Sequence, residues 1–355
     1  MTASKSPITK ARQIIESYGG PRLRIMEVCG THTHEIFRLG IRSLLPENIE
    51  LISGPGCPVC VTPVSYINEA LYLANHGVTL CTFGDLLRVP GTEESLAEAR
   101  SHGARVQLVY TPLDAITYAK EHPEESVAFL SVGFETTTPA SCLAIEQAAA
   151  QGLSNFTLLT ANKTMDAAYR AMADACDAYL YPGHVCAITG ARVPRALTKS
   201  GISGVVAGFT AAELLTAIAS IVQKSNTGTP FFINAYPRVV TEEGSPAARK
   251  LLATYLEPVD AEWRGLGILP QSGLALRDQY AQFDARKVYE IPSLHGRPNP
   301  ACRCGEILRG AITPPACPLF SKTCTPDHPV GACMVSREGT CAAWYQYASI
   351  ERKIS

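Results

Sequence analysis

At 355 residues the chain exceeds the size at which one hydrophobic core stops growing, so two or three domains are expected. Apolar residues make up 46% and charged residues 18%, which excludes a disordered, highly charged chain. The net charge of -1, with no basic stripe and no aromatic-interleaved Lys/Arg cluster, argues against a nucleic-acid partner.

The stretch Met1–Gly20 carries Lys5, Lys10, Arg12 and Glu16 and no apolar h-region, so it does not read as a secretory signal. The longest mostly apolar run, Leu214–Val222, is too short to span a bilayer, and no membrane association is expected. A cytoplasmic location follows as the expectation. In a reducing compartment, thirteen cysteines point to metal binding, redox chemistry or simple burial rather than to a disulfide framework.

From Arg24 to Asn234 one phrase repeats: a short apolar run, a Gly/Pro turn, then helical periodicity, the signature of β-α units on a mainly parallel sheet. Strands are predicted at Leu23–Val28, Ile49–Ile52, Val78–Thr82, Val106–Tyr110, Ser126–Val132, Phe156–Thr160, Ala178–Tyr181 and Gly204–Ala207. Several run apolar without alternation, as strands covered on both faces do. Thr62-Pro63 and Thr111-Pro112 read as an N-cap followed by proline at the first helical position. Thr210-Ala211-Ala212-Glu213 is a capping box, after which Leu214, Leu215, Ile218, Ile221 and Val222 fall on one helical face. Eight strands suit two smaller sheets better than one, and the charged stretch Glu121–Glu125 is the expected divide. The expected organisation is an α/β domain over residues 1–122, a second over 123–237 and a Cys-rich part over 238–355.

The motifs that carry chemistry fall at predicted strand ends. Cys29-Gly30-Thr31-His32-Thr33-His34 closes the first strand, and a thiol with two imidazoles within five residues can ligate a soft or borderline metal. A neighbouring histidine is also expected to depress the thiol pKa. The plain alternative is packing. Gly54-Pro55-Gly56-Cys57-Pro58-Val59-Cys60 places a C-x-x-C at a strand-to-helix turn, where helix dipole and backbone N–H groups favour thiolate, disulfide exchange or metal capture. Its small-residue turns are expected to leave it accessible; the bland reading is two small buried residues. Phe83-Gly84-Asp85, Gly133-Phe134-Glu135-Thr136 and Gly183-His184 also follow predicted strands and serve either as function-bearing loops or as caps and turns. Cys81, Cys142, Cys176 and Cys186 sit inside strand or helix patterns and read as core. No phosphate-binding or dinucleotide-binding glycine loop and no nucleophile elbow occurs.

Beyond Pro237 the pattern fades into a Pro-, Gly- and Cys-rich tail. Large apolar residues are sparse between Cys302 and Cys341, and a segment so poor in core formers needs a staple. Cys302, Cys304, Cys317, Cys324, Cys333 and Cys341 show no paired zinc knuckles. Their irregular spacing fits an iron-sulfur cube better, with zinc and inert burial as alternatives. Spacing alone does not choose four ligands from six.

Taken together, Met26–His34, Gly54–Val61, Cys81–Asp85, Gly133–Thr137, Pro182–Val185, Glu262–Gly267, Arg303–Leu308, Cys317–Phe320 and Cys341–Tyr347 resemble the HypD family of hydrogenase maturation factors in order and over nearly the whole chain. The resemblance implies two related Rossmann-like α/β domains and a cluster-bearing third part. It implies a [4Fe-4S] cluster on Cys304, Cys317, Cys324 and Cys341, with Cys302 and Cys333 outside the pattern. It further implies that Cys57 and Cys60 exchange electrons with that cluster as a dithiol/disulfide pair, and that Cys29 helps to hold iron while cyanide and carbon monoxide are added to form Fe(CN)2CO. The expected partners are a small HypC-type chaperone and a HypE-type cyanide donor, with the chain as an assembly scaffold rather than a free-standing metabolic enzyme. Candidate catalytic residues are Cys29, Cys57, Cys60, His32, Glu135 and His184, of which Cys29, Cys57 and Cys60 also count as metal-holding. One departure is Ala207-Gly208-Phe209-Thr210-Ala211, where the family carries Glu-Pro at the last two positions. The rival reading is a stand-alone iron-sulfur disulfide reductase resembling ferredoxin-thioredoxin reductase, which leaves Cys29 and its histidines without a role. A zinc-stapled interaction module is a third.

Overall fold

A computed structural model describes residues 6–354, so Lys5 and the rest of residues 1–5 lie outside the described part of the amino-terminal stretch. All eight predicted strands form, with ends shifted by at most two residues: β1 Leu23–Glu27, β2 Ile49–Ser53, β3 Thr79–Thr82, β4 Val106–Leu108, β5 Val127–Ser131, β6 Phe156–Thr160, β7 Ala178–Pro182 and β8 Gly204–Ala207. With β9 Phe232–Asn234 they build two parallel sheets, ordered β2-β1-β7-β8-β9 and β4-β3-β5-β6. Every residue of β5, β6 and β7 is buried, the two-sided covering that their unbroken apolar character requires.

The strands do not sort into sheets at residue 122. β3 pairs with β5 across that point, Leu80 opposite Ala128, and β1 pairs with β7, Met26 opposite Tyr179. The five-stranded sheet is thus drawn from both ends of the α/β region, and the four-stranded sheet is inserted between β2 and β7. Glu121–Glu125 merely links the helix Pro112–Glu121 to β5. Charge and proline mark a connection, but neighbours in a parallel sheet are always distant in sequence, and local pattern carries no record of them.

Local signals fared better. Thr111 and Asp114 form a reciprocal capping box, as do Thr210 and Glu213. Leu214, Leu215, Ile218, Ile221 and Val222 of the helix Ala211–Ser225 pack into the core beneath the five-stranded sheet. At Thr62-Pro63 the helix Val64–Asn75 begins one residue late, with Pro63 as its N-cap, because the Thr62 hydroxyl instead donates to Pro58 O at 2.9 Å. Among the described residues no helix is long and apolar enough to cross a membrane.

After Pro237 the chain is more ordered than its composition implies. A helix, Pro246–Tyr255, leads into an antiparallel hairpin of β10 Leu256–Trp263 and β11 Gly267–Leu276. The hairpin seats Trp263, fully buried, against Phe134 at 5.8 Å, with its indole N–H on Ser272 Oγ at 2.8 Å. Farther on, the helix Thr340–Ile354 packs on the helix Gly30–Arg38, with Trp344 edge-on to Phe37 at 5.4 Å.

Candidate functional site

Parallel α/β sheets gather ligands outside the carboxyl ends of their strands, at the point where strand order reverses. In the five-stranded sheet that point is β1, flanked by β2 on one side and β7 on the other. Cys29 follows β1, Gly54–Cys57 follows β2 and Gly183-His184 follows β7. The Gly30 N–H donates to Gly56 O at 3.0 Å, and a Cβ on Gly56 would overlap the backbone of Cys29. A glycine is required there, and its consequence is that Cys29 and Cys57 are set side by side.

Cys57 and Cys60 are joined as a disulfide, with Cα atoms 5.2 Å apart. Cys57 caps the four-residue helix Pro58–Val61, and its sulfur accepts the Cys60 N–H at 3.2 Å. The pair is not accessible as its glycines and prolines led one to expect: Cys57 is 3% and Cys60 0% exposed. The Cys-rich tail covers it, with Cys60 Sγ 4.0 Å from the carbonyl oxygen of Ala332.

Cys29 is also buried, and burial pushes its thiol up to about 11, with the His32 backbone N–H pulling the other way and Glu338 adding to the rise. The expected depression by histidine is not realised. The His32 ring turns away to Gly208 O at 3.0 Å, where burial holds its pKa at about 4, so it is neutral and cannot stabilise a thiolate by charge. Its Nδ1 is buried with no partner. His32 and His184 both lie against Phe209, at 4.7 and 3.8 Å between ring centroids, and burial lowers the His184 pKa as well. His34 instead meets the Tyr347 hydroxyl at 3.2 Å.

Glu135 reaches this region from the other sheet, beyond the end of β5. Its Oε1 accepts the Met165 N–H at 2.9 Å, while Oε2 is buried with no partner. Burial pushes its pKa up to about 7. Cys186, read as a core residue, is buried in the same apolar core as Cys57, Cys60 and Phe134. Two further residues went unread in the sequence. Glu338 accepts from Thr31 Oγ1 at 2.9 Å and lies against Gly30; only its nearness to Cys341 signalled it. Arg264, inside the Glu262–Gly267 phrase, carried no chemical signal until its neighbours were known.

The six tail cysteines line one small apolar cavity together with Ile307, Leu319, Phe320 and Met334. Cys304 Sγ lies 2.7 Å from Cys333 Sγ, and the Val330 N–H donates to Cys324 Sγ at 3.3 Å. Burial raises the thiols of Cys324 and Cys341, so their thiolate forms need a cationic partner. Among the described residues no three Cys, His, Asp or Glu side chains converge as ligands of a single metal ion would. Thiols arrayed around a cavity, with an N–H···S bond and the partly buried Arg264 guanidinium beside Cys302 and Cys304, fit a polynuclear iron-sulfur cluster.

The sequence model of the family described as the hydrogenase formation hypA family, HypD, matches residues 4–348. The hydrogenase maturation factor HypD of Azotobacter vinelandii is 43% identical over 353 residues, covering 95% of this chain and 92% of its own. That of Escherichia coli K12 is 42% identical over 343 residues, covering 94% and 92%. A putative hydrogenase expression/formation protein of Methanocaldococcus jannaschii is 39% identical over 350 residues, covering 98% and 97%.

Proposed function

The chain belongs to the HypD family of hydrogenase maturation factors, and from that membership we propose that it acts as scaffold and redox component in assembly of the Fe(CN)2CO unit. Iron is the cargo, held at Cys29 while its small ligands are added. A single thiolate leaves the remaining positions to exogenous ligands and to a partner, here a HypC-type chaperone seated over the strand-end edge with a HypE-type cyanide donor beside it. The observation that carries this reading is a line of contacting cysteine-bearing segments: Cys29 beside Gly56-Cys57, and Cys60 against Ala332, whose neighbour Cys333 lines the thiol cavity.

The cavity suits a [4Fe-4S] cluster, which when bound supplies electrons one at a time. The resemblance assigns its ligands to Cys304, Cys317, Cys324 and Cys341. The 2.7 Å approach of Cys304 to Cys333 favours a second assignment, in which Cys302 is the fourth ligand and Cys304 with Cys333 forms a further thiol pair. Two electrons and two protons open the Cys57–Cys60 disulfide to two thiols; closing it again returns both electrons and both protons. As a disulfide the pair cannot ligate iron, so any metal-holding role of Cys57 and Cys60 belongs to the reduced form. Glu135, close to half-protonated at neutral pH, holds or releases a proton at Oε2 within the same interior. Burial of the disulfide weighs against the stand-alone reductase, which needs it open to a thiol substrate.

Replacing Cys29 with Ala is the direct test. The variant should keep its fold and its cluster absorbance but lose the cyanide and carbonyl infrared bands of the purified chaperone complex. Unchanged bands would place the iron elsewhere.

A further inference from the structure

We propose that Arg264 is the electrostatic link between the Cys57–Cys60 helix and the thiol-lined cavity, a fixed, partly buried cation that offsets the charge of the cluster-bound thiolates and so sets the cluster's reduction potential. The inference rests on the redox reading above and adds a positioning residue to it.

Arg264 is clamped to the disulfide's own helix. Its backbone N–H donates to Val61 O at 2.8 Å and its Nε–H to Thr62 O at 2.7 Å, at the end of the helix that Cys57 caps. The next residue, Gly265, has φ of +81°, and a Cβ there would overlap Gly305. Arg309 Nη1 donates to Gly265 O from the same side. That glycine-on-glycine contact presses the turn against the helix Cys304–Leu308, bringing Arg264 and Cys304 to adjoining positions.

The charge has no conventional counterion. The guanidinium of Arg286 pairs with Glu69 at 2.7 Å, and that of Arg42 with the buried Glu27 at 3.1 Å. Among the described residues Arg264 has no carboxylate within ion-pair distance, Glu262 acting on it only more weakly than the thiols, and its Nη2 is buried without any hydrogen bond. Burial works against its charge, and the groups that most favour it are the thiols of Cys304, Cys333 and Cys302. A guanidinium does not shed its proton, so an unpaired one here is costly unless negative charge stands opposite. The iron-held thiolate among these thiols, Cys304 in the first assignment and Cys302 in the second, is that charge. Because reduction adds one more negative charge, a neighbouring cation favours the reduced cluster and raises its potential.

The test uses full-length protein purified without oxygen, comparing wild type, R264Q and R264K for iron, labile sulfide and the midpoint potential followed by electron paramagnetic resonance. R264Q should hold iron and sulfide but shift to a more negative potential. The expected size is at least tenfold in the reduced-to-oxidised ratio at a fixed potential, ~59 mV for a one-electron couple. R264K, which keeps the charge and loses the fork, should shift less. Full iron and sulfide in R264Q with the wild-type potential would overturn the inference. Should R264Q lose its cluster, R264K decides. Retention of iron and sulfide in R264K supports a role for charge, and loss of both shows that the guanidinium's shape alone is needed. Zinc without labile sulfide in the wild type would instead defeat the redox reading itself.

Discussion

Glu135 shows how one buried carboxyl couples stability to pH. Burial is the main cause of its rise from an ordinary 4.5 to about 7, with nearby Asp166 adding to it and the Met165 N–H opposing it. A carboxyl whose folded pKa is raised binds more protons folded than unfolded between those two values. Stability therefore falls as pH climbs from about 4.5 to about 7, by roughly 3 kcal/mol in all, and levels off above. Glu135→Gln removes the ionisation and should abolish this decline. Denaturant unfolding at pH 5 and pH 8 should give a smaller difference for the variant than for the wild type, and equal differences would show that Glu135 is not the group responsible. The motif made this residue visible in the sequence; the unpartnered Oε2 that gives it a chemical handle comes from the packing of one sheet against the other. His32 is the converse case. Its spacing from Cys29 was legible, yet the direction of its ring was not, because Gly208 lies at the end of β8, far along the chain.

Secondary elements were legible where each could be recognised by its own residues. Short apolar runs marked β1 to β8, an N-cap before proline marked the helix start at Thr111, and a capping box marked the one at Thr210. The hairpin of β10 and β11 escaped because β10 carries Glu257, Pro258 and Asp260 and buries only its two ends, so neither composition nor alternation advertises a strand. The same limit applies to the six tail cysteines, whose spacing left the four ligands open and whose elements offer two assignments. Cys304 begins the helix Cys304–Leu308 and is turned onto Cys333 of the helix Ala332–Val335, whereas Cys302 lies in the preceding loop and packs on Gly331. If those helices pair Cys304 with Cys333, then Cys302→Ser should lose iron, labile sulfide and brown absorbance while Cys333→Ser keeps them. Retention of a full cluster in Cys302→Ser would return the fourth place to Cys304.

At the scale of the whole molecule the tail is both a holder of thiols and a cover over others. Three apolar cores lie on the two sheets and contain none of the tail cysteines implied as ligands. A fourth takes Met26, Ile52, Tyr179, Tyr181 and Val206 of the five-stranded sheet and joins them to Cys57, Cys60, Trp263, Cys304, Cys317, Cys324, Cys333 and Cys341. Each sheet therefore keeps apolar cores that need no metal, while the tail, poor in other apolar side chains, depends on what its thiols bind. Ala332 lies over Cys60, and Glu338 closes on Thr31 and Gly30 beside Cys29, so loosening the tail uncovers both the disulfide and Cys29. Cys317→Ala should leave the far-ultraviolet circular dichroism of the sheets nearly intact. After mild reduction, it should also raise the rate at which iodoacetamide labels Cys57 and Cys60 by about tenfold or more, since local opening replaces a buried state by an exposed one. Mass mapping of the labelled peptides reads that rate directly. Equal rates in variant and wild type would mean that the tail keeps its place without the thiol, and that the cover over the disulfide is built from packing alone.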